Sequence, residues 1–222
     1  MNCDRLAPFY EFLERISFGR SLERCRGAFL EHAKASQRAI LCGGGDGRFL
    51  TRLLSANPSI EVDFVDLSPK MLELAETRLS SFDRKARKRV RFFVADIRDF
   101  QPRHEGYDLI ATHFFLDCFS EPELAAVVRR IASWATPNAQ WLVSEFRYAQ
   151  EPYRRIWTRA VISSLYAAFR FTTGLQVRHL PDYSAVLARS GFALRFEDIS
   201  LYGLLYSAIW VAAPSHVRRT LA

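Results

Sequence analysis

Apolar and polar positions along the chain change period at regular intervals. Residues 9–33 repeat apolar side chains at helical spacing, and Ala39-Ile40-Leu41-Cys42 then forms a short apolar run. Gly43-Gly44-Gly45-Asp46-Gly47 stops that run, which predicts a buried strand ending in a tight turn. Phe49, Leu50, Leu53 and Leu54 restore the helical period until Asn57-Pro58, after which residues 60–66 alternate as a strand. Ser68 is a natural N-cap, Pro69 suits a first helical position, and Leu72, Ala75 and Leu79 share one face. The alternation continues with strands over 90–96 and 107–113, then a helix opened by the capping box Ser120-x-x-Glu123 and closed by Thr136-Pro137-Asn138. A strand at 140–146, helices at 152–171 and 183–188, and two closing strands at 192–199 and 207–213 complete the reading. Strands alternating with helices predict an α/β fold, a doubly wound Rossmann-like seven-stranded sheet with helices on both faces. It is mostly parallel. Only a short turn at Tyr202-Gly203 joins the last two strands, so that pair is antiparallel and the last strand runs against the sheet.

Composition narrows the picture. With 222 residues, 49% of them apolar, the chain buries one good core, and ten glycines and nine prolines exclude collagen-like or low-complexity structure. The stretches 160–169 and 199–217 are free of Asp, Glu, Lys and Arg; the first is short and Gly203 and Pro214 break the second, so no membrane span is expected. The first residues lack a basic start followed by an apolar run, which predicts a cytoplasmic protein. Cys3, Cys25, Cys42 and Cys118 form no CxxC pair and have no histidines at ligand spacing, so reduced thiols and no metal are expected. A net charge of +7 favours anionic partners in general, and six basic residues crowd 84–91.

In an open parallel sheet ligands bind beyond the carboxyl ends of the strands, so those ends carry the candidate chemistry. The first presents the backbone of Gly43-Gly44-Gly45, the second Asp66, the third Asp96, and the fourth Thr112-His113 with Asp117 one turn on. An acidic residue about 20 positions after a glycine turn suits a ribose hydroxyl pair. Asp96 is placed to accept from an exocyclic amine. Together these ends predict a nucleoside site.

On these residues the chain resembles class I S-adenosylmethionine-dependent methyltransferases over nearly its whole length. Residues 39–47 (AILCGGGDG) are similar to that family's glycine motif, 62–75 (VDFVDLSPKMLELA) to its acidic-loop motif and 90–100 (VRFFVADIRDF) to its adenine-side motif. The resemblance implies that Gly43, Gly44 and Gly45 line the cofactor S-adenosylmethionine, that Asp66 binds its ribose, and that Leu67 and Ile97 sandwich the adenine. It further implies that Asp96 meets the amino group and that His113 lies near the methionine part. Leu6-Ala7-Pro8-Phe9-Tyr10 is similar to the N-terminal lid of small bacterial members, including the quinone and phospholipid methylating subgroup, which would set Tyr10 over the cofactor. On that basis residues 1–36 form a helical lid and 37–222 the methyltransferase domain. Leu41 departs from the family, which usually carries an acid there, and Asp46 is the candidate substitute.

Rival readings remain. The string GGGDG also occurs in spermidine synthases, so aminopropyl transfer is an alternative, although THFFLDCF lacks their polyamine-holding segment. Gly43-x-Gly45 with Asp66 partly imitates a dinucleotide fingerprint, but Arg48 replaces its third glycine. A non-enzymatic nucleic-acid module using 84–91 is the third, and solvated charge is the usual explanation for such a run. Methyl transfer mainly requires alignment, and His113 and Asp117 are the candidate bases against simpler roles in shaping the pocket and capping a helix. Residues 148–190, rich in Tyr153, Arg154, Arg155, Trp157, Arg159, Tyr166, Phe169, Arg170 and Phe171, either line a pocket for a small hydrophobic or anionic acceptor or form an amphipathic helix with a solvated face. A lipid, a quinone precursor or an aromatic acid would suit that pocket, with His179 and Tyr183 as further acceptor-side candidates. Membrane-surface contact is compatible with the same residues, and nucleic acid is not expected as a partner.

Overall fold

The computed structural model describes residues 18–104, 106–174, 177 and 179–213. Seven strands, β1 (Arg38–Cys42), β2 (Glu61–Asp66), β3 (Val90–Val94), β4 (Tyr107–His113), β5 (Ala135–Phe146), β6 (Phe192–Ser200) and β7 (Leu205–Ala212), form one sheet in the order β3-β2-β1-β4-β5-β7-β6. The first five are parallel. β7 enters antiparallel between β5 and β6. The order reverses at β1 and β4, so the carboxyl ends of β1, β2 and β4 open a crevice where ligands of such sheets sit.

Alternation along the strands sends side chains to two cores. Ile40 and Cys42 of β1 join Tyr107, Ile110 and Trp141 against the helices α4 (Glu121–Ser133) and α6 (Tyr183–Arg189). Ala39 and Leu41 point the other way, to Leu50, Leu53 and Leu79 of α2 (Arg48–Ala56) and α3 (Pro69–Phe82). A third cluster joins α1 (Ser21–Gly27) and α5 (Pro152–Thr173) over the end of β5, with Leu22, Cys25, Phe146, Ile162 and Tyr166 at its centre. Ser68 caps α3 by accepting from the Met71 amide at 3.2 Å, and the capping box of α4 is formed by Ser120 and Glu123.

Two sequence expectations change. In place of one helix through residue 33, α1 ends at Gly27 and a 3-10 turn covers Leu30–Ala35. A Cβ on Gly27 would lie 2.2 Å from the guanidinium of Arg52, which donates to the Glu23 carbonyl at 2.9 Å and so packs onto the helix end. Thr136-Pro137-Asn138 terminates no helix but belongs to β5, where Ala135 pairs with Tyr107 and the register then slips before Leu109 pairs with Gln140. Asn138 takes φ 66°, and a bulge of this kind accommodates the missing amide of Pro137.

One charged network crosses the sheet. Asp63 is fully buried in β2; it accepts from Arg91 Nε at 2.5 Å and from the Tyr107 hydroxyl at 2.5 Å, tying β2 to β3 and β4. Removing one partner of a buried ionic network leaves the others without compensation. Asp63→Ala should therefore lower the free energy of unfolding by about 3 kcal/mol, read from urea denaturation. A loss below about 1 kcal/mol would show that water already satisfies Arg91 and Tyr107.

Candidate functional site

The turn after β1 is built to carry no side chains. Gly43 has φ 65° and a Cβ there would lie 2.2 Å from the Phe115 ring; a Cβ on Gly44 would lie 2.3 Å from the ring of Phe64. The Gly43 amide donates to the Val65 carbonyl at 2.9 Å, folding the loop over the end of β2. Gly45, φ 62°, faces open space. A pocket at this edge is lined by Arg26, Leu41, Cys42, Gly43, Gly44, Gly45, Asp46, Arg48, Phe49, Ala111 and His113.

Asp66 closes the next strand and its carboxylate is already oriented. Oδ2 accepts from the Gly45 amide and Oδ1 from the Ser68 amide, both at 2.9 Å. Beside it, the Asp66 carbonyl accepts from the Ala95 amide at 3.0 Å, which brings the loop carrying Asp96 alongside. The hydrogen bonds of Arg98 hold the Asp96 carboxyl below the usual carboxylate range. Leu67 is exposed, whereas Ile97 is buried in the larger core. Asp46 is buried, with Arg48 Nε at 2.8 Å and Arg78 Nη2 at 3.4 Å, so it braces the turn.

The helix α1 is pinned across the edge. The Cys25 carbonyl accepts from Ser144 Oγ on β5 at 3.2 Å and from Ser207 Oγ on β7 at 2.8 Å. The following residue, Arg26, thereby reaches the pocket, its guanidinium 5.1 Å from the centre of the Phe114 ring. Ser144 gives its hydrogen to Cys25, so His113 Nδ1 donates to it across 3.0 Å and Nε2 is left as a bare acceptor. Nε2 is buried and has no hydrogen-bond partner among the described residues, and the ring stands edge-on to Phe49 at 4.3 Å. Burial, reinforced by the charges of Arg26 and Arg52, pushes the imidazole down to about 3, so it is neutral at physiological pH.

Asp117 lies deeper, in the 3-10 turn Leu116–Cys118. The Tyr166 hydroxyl of α5 contacts its carbonyl at 3.2 Å and its Oδ2 at 3.4 Å. Its neighbour is a carboxyl that the sequence reading missed. Glu145, fully buried in β5, accepts the Phe115 and Leu116 amides at 3.0 and 2.8 Å, while its Oε2 has no partner among the described residues. An acid within the apolar run of β5 was the available signal. Arg26 gave none, since only long-range hydrogen bonds place it.

The acceptor-side expectation is corrected in part. Tyr153, Trp157 and Phe171 are exposed on α5, and of the aromatics on this helix only Tyr166 is fully inside. Tyr183 is buried and donates to the Phe146 carbonyl at 3.1 Å, and His179 is exposed. Within the basic run, Arg87 pairs with Glu76, Arg89 donates to the Ile60 carbonyl and Arg91 binds Asp63, so half of it braces the fold. Tyr10 lies outside the described residues.

A protein-family model described as a methyltransferase domain matches residues 42–140. Among curated relatives, a malonyl-[acyl-carrier protein] O-methyltransferase of Halalkalibacterium halodurans is 34% identical over 118 residues, 51% of this chain and 41% of that protein. The human N-terminal Xaa-Pro-Lys N-methyltransferase 1 is 32% identical over 114 residues, 51% of this chain and 48% of that protein. The chain thus spans less than half the length of either. A crystal structure of the N-methyltransferase NodS from Bradyrhizobium japonicum WM9, in complex with S-adenosyl-l-homocysteine, superimposes with a TM-score of 0.59 at 14% identity, covering 86% of this chain and 88% of that one. The family model thus matches a little under half of the chain, and the seven-stranded sheet has the Rossmann-like fold of that solved structure.

The two buried carboxyls set a pH dependence. Burial pushes the Asp117 carboxyl up to about 6 from its ordinary 3.8, and burial together with the Asp117 charge raises Glu145 well above the usual range. A raised carboxyl binds its proton more tightly when folded, so its contribution is complete at acid pH and is lost as pH rises through about 6. Asp117→Asn should flatten this decline and increase stability at neutral pH by about 1 kcal/mol, measured by urea unfolding across the range. An unchanged slope would assign the decline to other groups.

Proposed function

We propose that the chain is an S-adenosylmethionine-dependent methyltransferase acting on a small hydrophobic or anionic acceptor. The observation that carries this reading is the alignment of three strand ends inside the segment that the methyltransferase-domain model matches: the Gly43–Gly45 cradle, the Asp66 carboxylate hydrogen-bonded to it, and Asp96 on the adjoining loop. The residues fit the donor. Gly45 leaves the space that a side chain would fill, Asp66 suits a ribose, and the orphaned Nε2 of His113 faces the pocket as an acceptor for the donor's ammonium group. Arg26, on the same pocket, suits its carboxylate.

The bound donor supplies an activated methyl group, displaced in line from its sulfonium. What the protein contributes is alignment and exclusion of water. His113, held neutral and hydrogen-bonded to Ser144, orients a ligand better than it takes up a proton. Asp117, pushed up to about 6, has the basicity for proton transfer, and an acceptor that must lose a proton on methylation would use it. The named relatives act on carrier-protein-linked and protein N-terminal acceptors, so a protein-borne acceptor is the second reading.

Isothermal titration of S-adenosylmethionine, S-adenosyl-l-homocysteine, decarboxylated S-adenosylmethionine and reduced nicotinamide dinucleotide tests the proposal. Binding of the first two alone is expected. Preference for the decarboxylated form would move the reading to aminopropyl transfer, and binding of none would remove the enzyme assignment. Asp66→Ala should weaken S-adenosylmethionine binding by about ten-fold or more, because buried hydroxyls lose their acceptor.

A further inference from the structure

The helix α5 is amphipathic in the reverse of the usual sense. Its inner stripe, Thr158, Ile162 and Tyr166, packs over the end of β5 within the third core. The side turned fully to solvent is mostly apolar, interrupted by the exposed Ser163 and Ser164. Tyr153, Ile156, Trp157 and Phe171 are 68%, 74%, 41% and 93% exposed, and Ala160 and Ala167 lie between them on the same arc. On the flanks stand Arg154, Arg155, Arg159 and Arg170, and residues 152–173 contain no Asp or Glu. Tyr202 extends the face: its ring meets Trp157 edge-on at 6.0 Å and it is 70% exposed. Leu201 and Tyr202 both take left-handed backbone angles, φ 49° and 55°, an unfavourable conformation for bulky residues that holds Tyr202 outward.

We propose that this face docks on an anionic membrane surface, with the apolar strip entering the acyl boundary and the arginines meeting lipid phosphates. The charge pattern selects the occupant. A second copy of the chain would bring the same arginines and a net charge of +7 against its own, with no acid on the helix to offset them. A nucleic acid would need cations along the centre of the strip, where Ile156, Ala160 and Ala167 stand instead. An anionic bilayer offers an apolar layer and a layer of negative charge at the matching depths. At 22 residues α5 is roughly 33 Å long, and no helix among the described residues is apolar enough to cross a membrane, so it would lie flat.

Cosedimentation with phosphatidylglycerol and phosphatidylcholine vesicles tests this. The full chain should bind the anionic vesicles about ten-fold or more tightly than the neutral ones. Ile156→Ser combined with Phe171→Ser, at positions that contribute nothing to the core, should reduce that binding by about ten-fold. Replacing Arg155, Arg159 and Arg170 by Gln should abolish the preference between the two lipids. Equal binding to both lipids, or undiminished binding by the serine variant, would overturn the proposal. So would a dimer that the serine variant dissociates, or tighter binding to single-stranded DNA than to vesicles. Neither variant touches the pocket, so titration with S-adenosylmethionine reports separately on the methyltransferase reading.

Discussion

Two serine hydroxyls on neighbouring strands converge on one carbonyl, that of Cys25, and much of the candidate site depends on that meeting. Ser144 and Ser207 are register partners on β5 and β7, so their hydroxyls reach the same point only because β7 runs antiparallel beside β5. Their joint acceptor ends α1 at the right place for Arg26 to enter the pocket. The same Ser144 oxygen receives the proton of His113 Nδ1 and thereby decides which face of the imidazole is offered to a ligand. The Cys25 thiol, pushed up to about 11 by burial, stays protonated and takes part as a hydrogen-bonding hydrophobe.

The glycine turn imposes a complementary constraint. Phe115 and Phe64 occupy the volumes that side chains at Gly43 and Gly44 would need, so the turn is closed to substitution from two sides while Gly45 stays open. Rings from β2 and from the segment after β4 thus clamp a backbone that belongs to β1. The acids around it are divided by environment. Asp46 is neutralised by two arginines, Asp66 is oriented by two amides, and Asp117 and Glu145 are buried without a cation in contact. Groups of one chemical type therefore serve as brace, oriented acceptor and titrating pair.

Local pattern revealed the parts that depend on neighbours in sequence. A short apolar run stopped by glycines located β1 and its turn, and an alternating strand ending in Asp66 twenty-odd residues later located its partner. Features made by distant pairing stayed hidden. Arg26 is placed through hydrogen bonds spanning more than a hundred positions, and Glu145 matters because the turn after β4 folds back onto it. Thr136-Pro137-Asn138 carried a true turn signal, but the backbone uses it as a bulge inside β5. The helical period through residue 33 was also genuine, yet Arg52 occupies the space beside Gly27. On α5 the periodicity was legible and its polarity was not, because apolar side chains on a helix are presumed to face inward.

The place of β7 in the sheet has a consequence for how the molecule is made. Synthesis delivers the parallel strands in an order that allows each to find a neighbour already present, but β5 keeps one edge unpaired while α5, α6 and β6 emerge. Only the last described strand fills that gap, and it carries Ser207. A nascent chain halted before residue 205 would expose a long apolar edge, open to another chain and therefore to aggregation.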